Sequence, residues 1–280
     1  MPTTQQISTA WQSDSYQKVN APQTAANLRA LELVDDLVTT GARLVDVGCG
    51  TGEVAKTMAE RGLRVTAIDG SQSMVDATAE ACADLGVTAA CLDANELDLE
   101  AAGFEIVHCS WVLHWLRDLD SAIAALAGAV APGGALVLQW SRALAPAEGR
   151  GQVGVFEDLA AGSEWAPKLR DLGPSINYQY PVDDVVARVG AAGLVVDHID
   201  TALWGPIPTS VEPTPEIVES VVQRLRHTGF GVHEQLLGTE ELLRFLRAGV
   251  VAALDAGLTD PRDVRLIARR PSLTPAEPLS

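Results

Sequence analysis

Asp46-Val47-Gly48-Cys49-Gly50-Thr51-Gly52-Glu53 places three glycines between two carboxylates, and Asp69 follows 19 residues after Gly50. Glycines let backbone approach a ligand closely, and the N–H groups at a helix start are open to an anionic or polar group. A carboxylate at the end of the following strand is placed to accept hydrogen bonds from a ribose diol. A glycine cluster alone is weak, because any tight strand-to-helix turn can use two. Paired with Asp69, it points to a nucleoside ligand.

The type of ligand follows from charge and spacing. A dinucleotide fingerprint requires G-x-G-x-x-G/A, whereas this chain has G-x-G-x-G with Glu53 where a third small residue would pack. A pyrophosphate would be repelled by Asp46 and Glu53. A cofactor carrying positive charge would be attracted, and S-adenosyl-L-methionine has both a sulfonium and an ammonium.

Positioning these residues requires strands that alternate with helices. Arg43 to Val47 reads as a first strand, a helix runs from about Glu53 to Arg61, and Leu63 to Ile68 is a second strand. A helix from about Gln72 to Leu85 leads to strands at Val87–Leu92 and Phe104–Cys109. A helix over about Leu119–Ala131 is ended by Pro132-Gly133-Gly134 before a fifth strand, Ala135–Trp140. This is the βαβ pattern of a parallel sheet. Residues 143 to 181 read as an irregular insertion. Further helices are expected at about Val182–Ala192, after Thr214-Pro215, and at about Glu240–Leu254, with strands near Leu194–Ile199 and Asp263–Ala268.

Composition bounds the partners. The chain has 280 residues, 20 Lys plus Arg against 37 Asp plus Glu, and a formal net charge of -17. That balance disfavours nucleic acid and anionic membrane surfaces. No apolar stretch approaches the roughly 18 residues a membrane span needs, and the N-terminus lacks a signal pattern, so a soluble cytoplasmic protein is expected. Cys49, Cys82, Cys91 and Cys109 read as small buried thiols. His227 and His233 lack metal-ligand spacing, and no metal is expected.

Residues 43 to 141 resemble the core of the class I S-adenosylmethionine-dependent methyltransferases. The likeness is carried by LVDVGCGTGE, VTAIDGSQSMVDAT, LDANEL, FEIVHCSWVLHW and APGGALVLQW. It implies a Rossmann-like α/β fold with a seven-stranded sheet in the order 3-2-1-4-5-7-6 and helical lid insertions. Residues 1–280 would form a single domain, with core at about 40–142, 182–200 and 262–270 and lid at about 1–35, 143–181 and 206–255. It also implies site roles. Gly48, Gly50 and Gly52 line the methionine moiety, and Asp46 holds its ammonium through water or backbone. Asp69 takes the ribose hydroxyls, flanked by Gly70 and Ser71. Met74 packs on adenine, Asp93 and Ala94 meet its amino edge, and Ser110 lies beside the cofactor. The product would be S-adenosyl-L-homocysteine.

Tyr16-x(3)-Asn20-x(2)-Gln23, read with Ser110-Trp111-Val112-Leu113-His114-Trp115, is similar to segments of juvenile hormone acid methyltransferases and, more distantly, plant salicylate and benzoate carboxyl methyltransferases. Trans-aconitate and malonyl-acyl-carrier-protein methyltransferases share a looser form of the second segment. By that match Gln23 and Trp115 hydrogen-bond an acceptor carboxylate. The expected partner is a small-molecule or peptide acid, handled by a monomer or homodimer. A carboxylate is ionised at neutral pH and needs no base. A phenol or amine would more often need one, with His108, His114, His233 or Glu234 as candidates and His114 the foremost. Alternatives are N-, C- or phenolic O-methylation in a natural-product pathway, or a noncatalytic cofactor-binding protein. His108 itself reads as a satisfied structural histidine. Phe156, Trp165, Tyr178, Tyr180, Trp204 and Phe230 are expected to supply the lid's aromatic surface, and Arg117 and Arg142 lie near strand ends.

Overall fold

The alternation of short apolar runs with amphipathic segments produces seven strands: β1 (Arg43–Val47), β2 (Arg64–Asp69), β3 (Thr88–Cys91), β4 (Phe104–Ser110), β5 (Val130–Ser141), β6 (Val195–Leu203) and β7 (Asp263–Arg269). They form one sheet in the order β3-β2-β1-β4-β5-β7-β6. β3, β2, β1, β4 and β5 pair in parallel, and β7 runs antiparallel to β5 and β6. This is the Rossmann-like sheet that the resemblance implies. The computed structural model describes residues 20–116, 118–142, 151–169, 180–203, 214–258 and 263–272.

The helices are α1 (Ala21–Glu32), α2 (Glu53–Glu60), α3 (Gln72–Ala81), α4 (Leu119–Ala129), α5 (Gly151–Ala161), α6 (Ala166–Leu169), α7 (Val182–Ala191), α8 (Pro215–Gly229), α9 (Gly231–Leu237) and α10 (Thr239–Asp255). On one face, Ile123, Leu126, Val185 and Val189 pack with Val45, Val107, Leu136 and Leu138. On the other, Leu31, Ala55 and Met58 pack with Leu44, Ile106 and Val137. The odd and even positions of the central strands thus go to different cores, which is why these strands read as continuous apolar runs. Trp140 is fully buried and donates its indole N–H to the Tyr180 carbonyl at 3.1 Å.

Several boundaries differ from the sequence reading. The helix after β2 ends at Ala81, four residues before Leu85. β5 starts at Val130, before the Pro-Gly-Gly breaker: Val130 pairs with Phe104 and Ala135 with Ile106, so Ala131–Gly134 forms the irregularity between them. A Cβ on Gly134 would sit 2.7 Å from the Glu105 carbonyl oxygen, so only glycine fits that crossing. Part of the supposedly irregular stretch 143–181 is helical, in α5 and α6. Phe230 interrupts the helix after Thr214 and separates α9 from α8. Thr214 caps α8 as expected, its hydroxyl accepting from Ile217 N at 3.4 Å. Cys49, Cys82 and Cys109 are buried, but Cys91 is exposed because β3 is the sheet's edge strand.

α5, α6, α8, α9 and α10 enclose a third core of Trp165, Leu169, Val222, Leu242, Phe245, Leu246 and Val250. Phe156, Trp165 and Phe230, assigned to the lid, pack there around Phe245. Tyr180 does not: it packs on the sheet core and donates its hydroxyl to the Leu116 carbonyl at 2.5 Å. Arg117, Tyr178 and Trp204 lie outside the described residues.

Candidate cofactor and methyl-transfer site

The expected cofactor residues converge at the carboxyl ends of β1 to β4. Asp46 is the penultimate residue of β1, Asp69 ends β2, Asp93 lies two residues after β3, and Ser110 ends β4. In an open α/β sheet, ligands bind at this end, where the strand order reverses.

The glycine loop between β1 and α2 is held tightly. Gly48 N and Cys49 N both donate to the Ile68 carbonyl, at 2.7 and 3.0 Å. Gly48 and Gly52 have φ of 79° and 87°. A side chain on Gly48 would collide with Val112, and one on Gly52 would meet Thr78 at 3.0 Å. These two glycines are therefore required by the protein's own neighbours. Thr78 on α3 braces the loop, its hydroxyl donating to the Gly50 carbonyl at 2.9 Å.

Asp69 accepts from Gly50 N at 3.0 Å and from Ser71 N at 2.9 Å, so its carboxylate joins the glycine loop to the start of α3. Burial pushes its carboxyl up to about 6, aided by the Asp46 charge and opposed by the Ser71, Gly50 and Gly70 N–H groups. Met74 and Ser71 are buried one turn into and at the start of α3. Asp93 is exposed and caps the turn Ala94–Glu96, accepting from Asn95 N at 2.9 Å. Asp46 is 1% exposed; one oxygen contacts His108 Nδ1 at 2.7 Å, and Oδ2 is buried without a hydrogen-bond partner among the described residues. His108 Nε2 meets the Ser110 hydroxyl at 2.9 Å, so His108 is the satisfied histidine its strand position suggests.

The residues expected to meet the acceptor lie on α1 and in the turn Leu113–Trp115 after β4. Gln23 stands in the first turn of α1, partly buried. Just before that helix, Asn20 donates through its amide to Glu53 at 2.9 Å and to Thr51 at 3.2 Å, while Thr51 donates to Glu53 at 2.6 Å. Trp115 is partly buried and His114 buried, their rings 5.0 Å apart. Sequence reasoning gave no role to Asn20, Thr51, Thr78, Gln139 or Arg265. Asn20 was visible inside the Tyr-Asn-Gln segment, and Gln139 stood out as one polar residue in ALVLQW.

His233 and Glu234, considered as bases, sit elsewhere. His233 is buried among Phe230 and Phe245, where burial lowers its imidazole to about 4. Glu234 pairs with Arg226 and accepts from Thr239 at 2.7 Å. Among the described residues no three His, Cys, Asp or Glu side chains gather as a metal site, and no helix is long and apolar enough to cross a membrane.

Comparison with known proteins decides the family. Residues 45–138 match a family described as a methyltransferase domain. A ubiquinone biosynthesis O-methyltransferase of Xanthomonas axonopodis pv. citri (strain 306) is 36% identical over 202 residues, 70% of this chain and 80% of that protein. This chain is an S-adenosylmethionine-dependent methyltransferase. The methyltransferase is also 35% identical to a malonyl-[acyl-carrier protein] O-methyltransferase of Serratia marcescens over 137 residues, 48% of this chain but 42% of that protein. Its fold matches phosphoethanolamine N-methyltransferase 2 of Haemonchus contortus in complex with S-adenosyl-L-methionine, with a TM-score of 0.59, 19% identity and coverage of 93% of this chain and 57% of that one. The site fits the cofactor: the buried Asp46 oxygen, which has no hydrogen-bond partner among the described residues, and the acidic loop suit a cationic ligand.

Proposed function

We propose that the enzyme methylates a carboxylate oxygen of a small-molecule or peptide acid, giving a methyl ester. The observation that carries this reading is the Asn20 side chain. Its bonds to Thr51 and Glu53 tie the first turn of α1, with Gln23, to the glycine loop, so that the acceptor-side helix and the cofactor loop share one boundary. Two relatives bear names that specify O-methylation, which supports oxygen over nitrogen or carbon.

In this reading Gly48, Gly50 and Gly52 line the methionine portion of the cofactor and Asp46 Oδ2 faces its ammonium. Asp69 accepts from the ribose, with Gly70 and Ser71 beside it. Met74, Asp93 and Ala94 surround adenine, and Ser110 borders the reacting end. Bound S-adenosyl-L-methionine supplies a sulfonium methyl group open to in-line displacement. Gln23 and Trp115 donate N–H groups to the acceptor carboxylate. Neutral donors fix its orientation while leaving it more nucleophilic than a bidentate arginine would. The helical unit of α5, α6 and α8 to α10 forms the lid that excludes water. A phenol or amine would draw on His114 as base, but that ring is buried beside Trp115, where packing the indole is its better-supported task.

Gln23→Ala and Trp115→Ala should each lower kcat/KM for the acid by about 10- to 100-fold, the scale of a hydrogen bond to a charged group, with cofactor affinity within about twofold. Unchanged turnover in both variants would contradict the carboxylate clamp.

A further inference from the structure

Five polar side chains cross the sheet face that α1 covers. Asp46 on β1 is in register with His108 on β4, Ser110 on β4 with Gln139 on β5, and Gln139 with Arg265 on β7. Contacts run Asp46 Oδ1 to His108 Nδ1 at 2.7 Å, His108 Nε2 to Ser110 Oγ at 2.9 Å, Ser110 Oγ to Gln139 Nε2 at 3.3 Å, and Gln139 Oε1 to Arg265 Nε at 3.0 Å. Gln139 Nε2 also reaches Asn27 Oδ1 on α1 at 2.6 Å. Asp46, His108, Ser110 and Gln139 are all buried.

Donor and acceptor capacity fixes the direction of this chain. A guanidinium only donates, so the Gln139 oxygen must face Arg265 and its NH2 must face β4 and α1. Both amide hydrogens are then used, one to Ser110 Oγ and one to Asn27 Oδ1. Ser110 accepts from Gln139 and has its own hydrogen for His108 Nε2. A ring nitrogen that accepts carries no hydrogen, so the hydrogen of His108 lies on Nδ1 and is donated to Asp46.

We propose that Gln139 and Arg265 are positioning residues: from two and three strands away from β1 they hold His108 as the neutral Nδ1–H tautomer and so keep Asp46 an anion whose Oδ2 faces the cofactor's positive end. The last step rests on the reading above that Asp46 meets the cofactor. The opposite tautomer would set a lone pair on Nδ1 against the Asp46 oxygen at 2.7 Å, an arrangement stable only if the pair gains a proton.

Gln139→Glu should reverse the chain. The introduced carboxylate only accepts, so the Ser110 hydrogen turns toward it, and Ser110 must accept from Nε2. With Nδ1 still donating to Asp46, the ring becomes an imidazolium and neutralises the anion. The test is the nitrogen-15 shifts of the His108 ring in the full chain at neutral pH without cofactor, assigned with His108→Asn, together with calorimetric titration by S-adenosyl-L-methionine. Expected are hydrogen on Nδ1 alone in the unmodified protein, hydrogen on both nitrogens in Gln139→Glu, and about tenfold weaker cofactor binding in that variant. Gln139→Met, which adds no charge, removes the donor to Ser110 and so lets Ser110 accept from Nε2; it should give a mixture of the neutral Nδ1–H ring and the imidazolium, with a smaller loss of cofactor affinity than Gln139→Glu. An Nε2–H tautomer in the unmodified protein would overturn the proposal. The expected ring states with unchanged affinity would instead overturn the assignment of Asp46 to the cofactor, leaving the polarity of the network intact.

Discussion

The sheet face beneath α1 keeps its polar side chains in a closed sequence of hydrogen bonds from Asp46 to Arg265, whereas the unit of α5, α6 and α8 to α10 packs aromatic rings around Phe245 with an imidazole, His233, among them. In the first region burial is compensated by partners everywhere along that sequence of bonds except at Asp46 Oδ2. In the second, a titratable ring is buried mainly against apolar surface, and its affinity for a proton falls instead. In the proposed function the first region holds fixed charges for a cofactor and the second encloses an acceptor, and the difference makes the two respond differently to mutation and to acid.

The largest contrast is expected from Phe245→Ala. Removing this fully buried ring should destabilise the helical unit by about 4 kcal/mol. Acceptor turnover should fall while cofactor affinity stays within about twofold, as read by thermal unfolding and calorimetry. An equal loss of cofactor affinity would show that the two regions are not separable. Gly48→Ala is the reciprocal change. A side chain meeting Val112 at φ 79° should cost about 3 kcal/mol and abolish measurable cofactor binding. Retained binding would contradict the cradle.

Acid sharpens the same comparison. The His233 imidazole is lowered to about 4 in the folded protein from an ordinary value of 6.5, so the unfolded chain binds the proton first. Stability is full above about 6.5 and is lost as pH falls toward 4, by up to roughly 3 kcal/mol. His233→Phe should remove that component from the pH dependence of unfolding. The smaller effect is at Asp69, whose carboxyl is raised to about 6. If the ribose prefers the ionised form, cofactor affinity is constant well above pH 6. Below that value it should fall about tenfold per unit, and Asp69→Asn should flatten the profile. A flat profile in the unmodified protein would contradict the ribose assignment.

The two regions also differed in how much of them the chain's residues disclosed. The strand periods disclosed the sheet, and the glycine loop and Asp69 were legible as neighbours at its carboxyl end, because a tight turn, a strand end and a helix start are local demands written in a few adjacent residues. Thr78 and Asn20 escaped because their contacts to the loop span 28 and 31 residues. The link from Gln139 to Arg265 escaped because antiparallel register between β5 and β7 is set by packing between residues 126 positions apart in the chain. In the helical unit, Gly151 and Gly154 fall in the stretch 143 to 181 that read as an irregular insertion. Tertiary packing overrode the low helix propensity of glycine: Gly151 begins α5 and Gly154 lies within it. In the same unit, the bare edge of Gly249 on α10 admits the Phe156 ring.

The central claim, ester formation at an acid, is tested most directly by incubating the enzyme with methyl-labelled S-adenosyl-L-methionine and a mixed panel of carboxylic acids, peptides, phenols and amines, then treating the labelled products with mild alkali. Release of the label as methanol is the predicted result. Label that survives alkali would mean an ether, amine or carbon product and would contradict the carboxylate reading, while leaving the cofactor site as described.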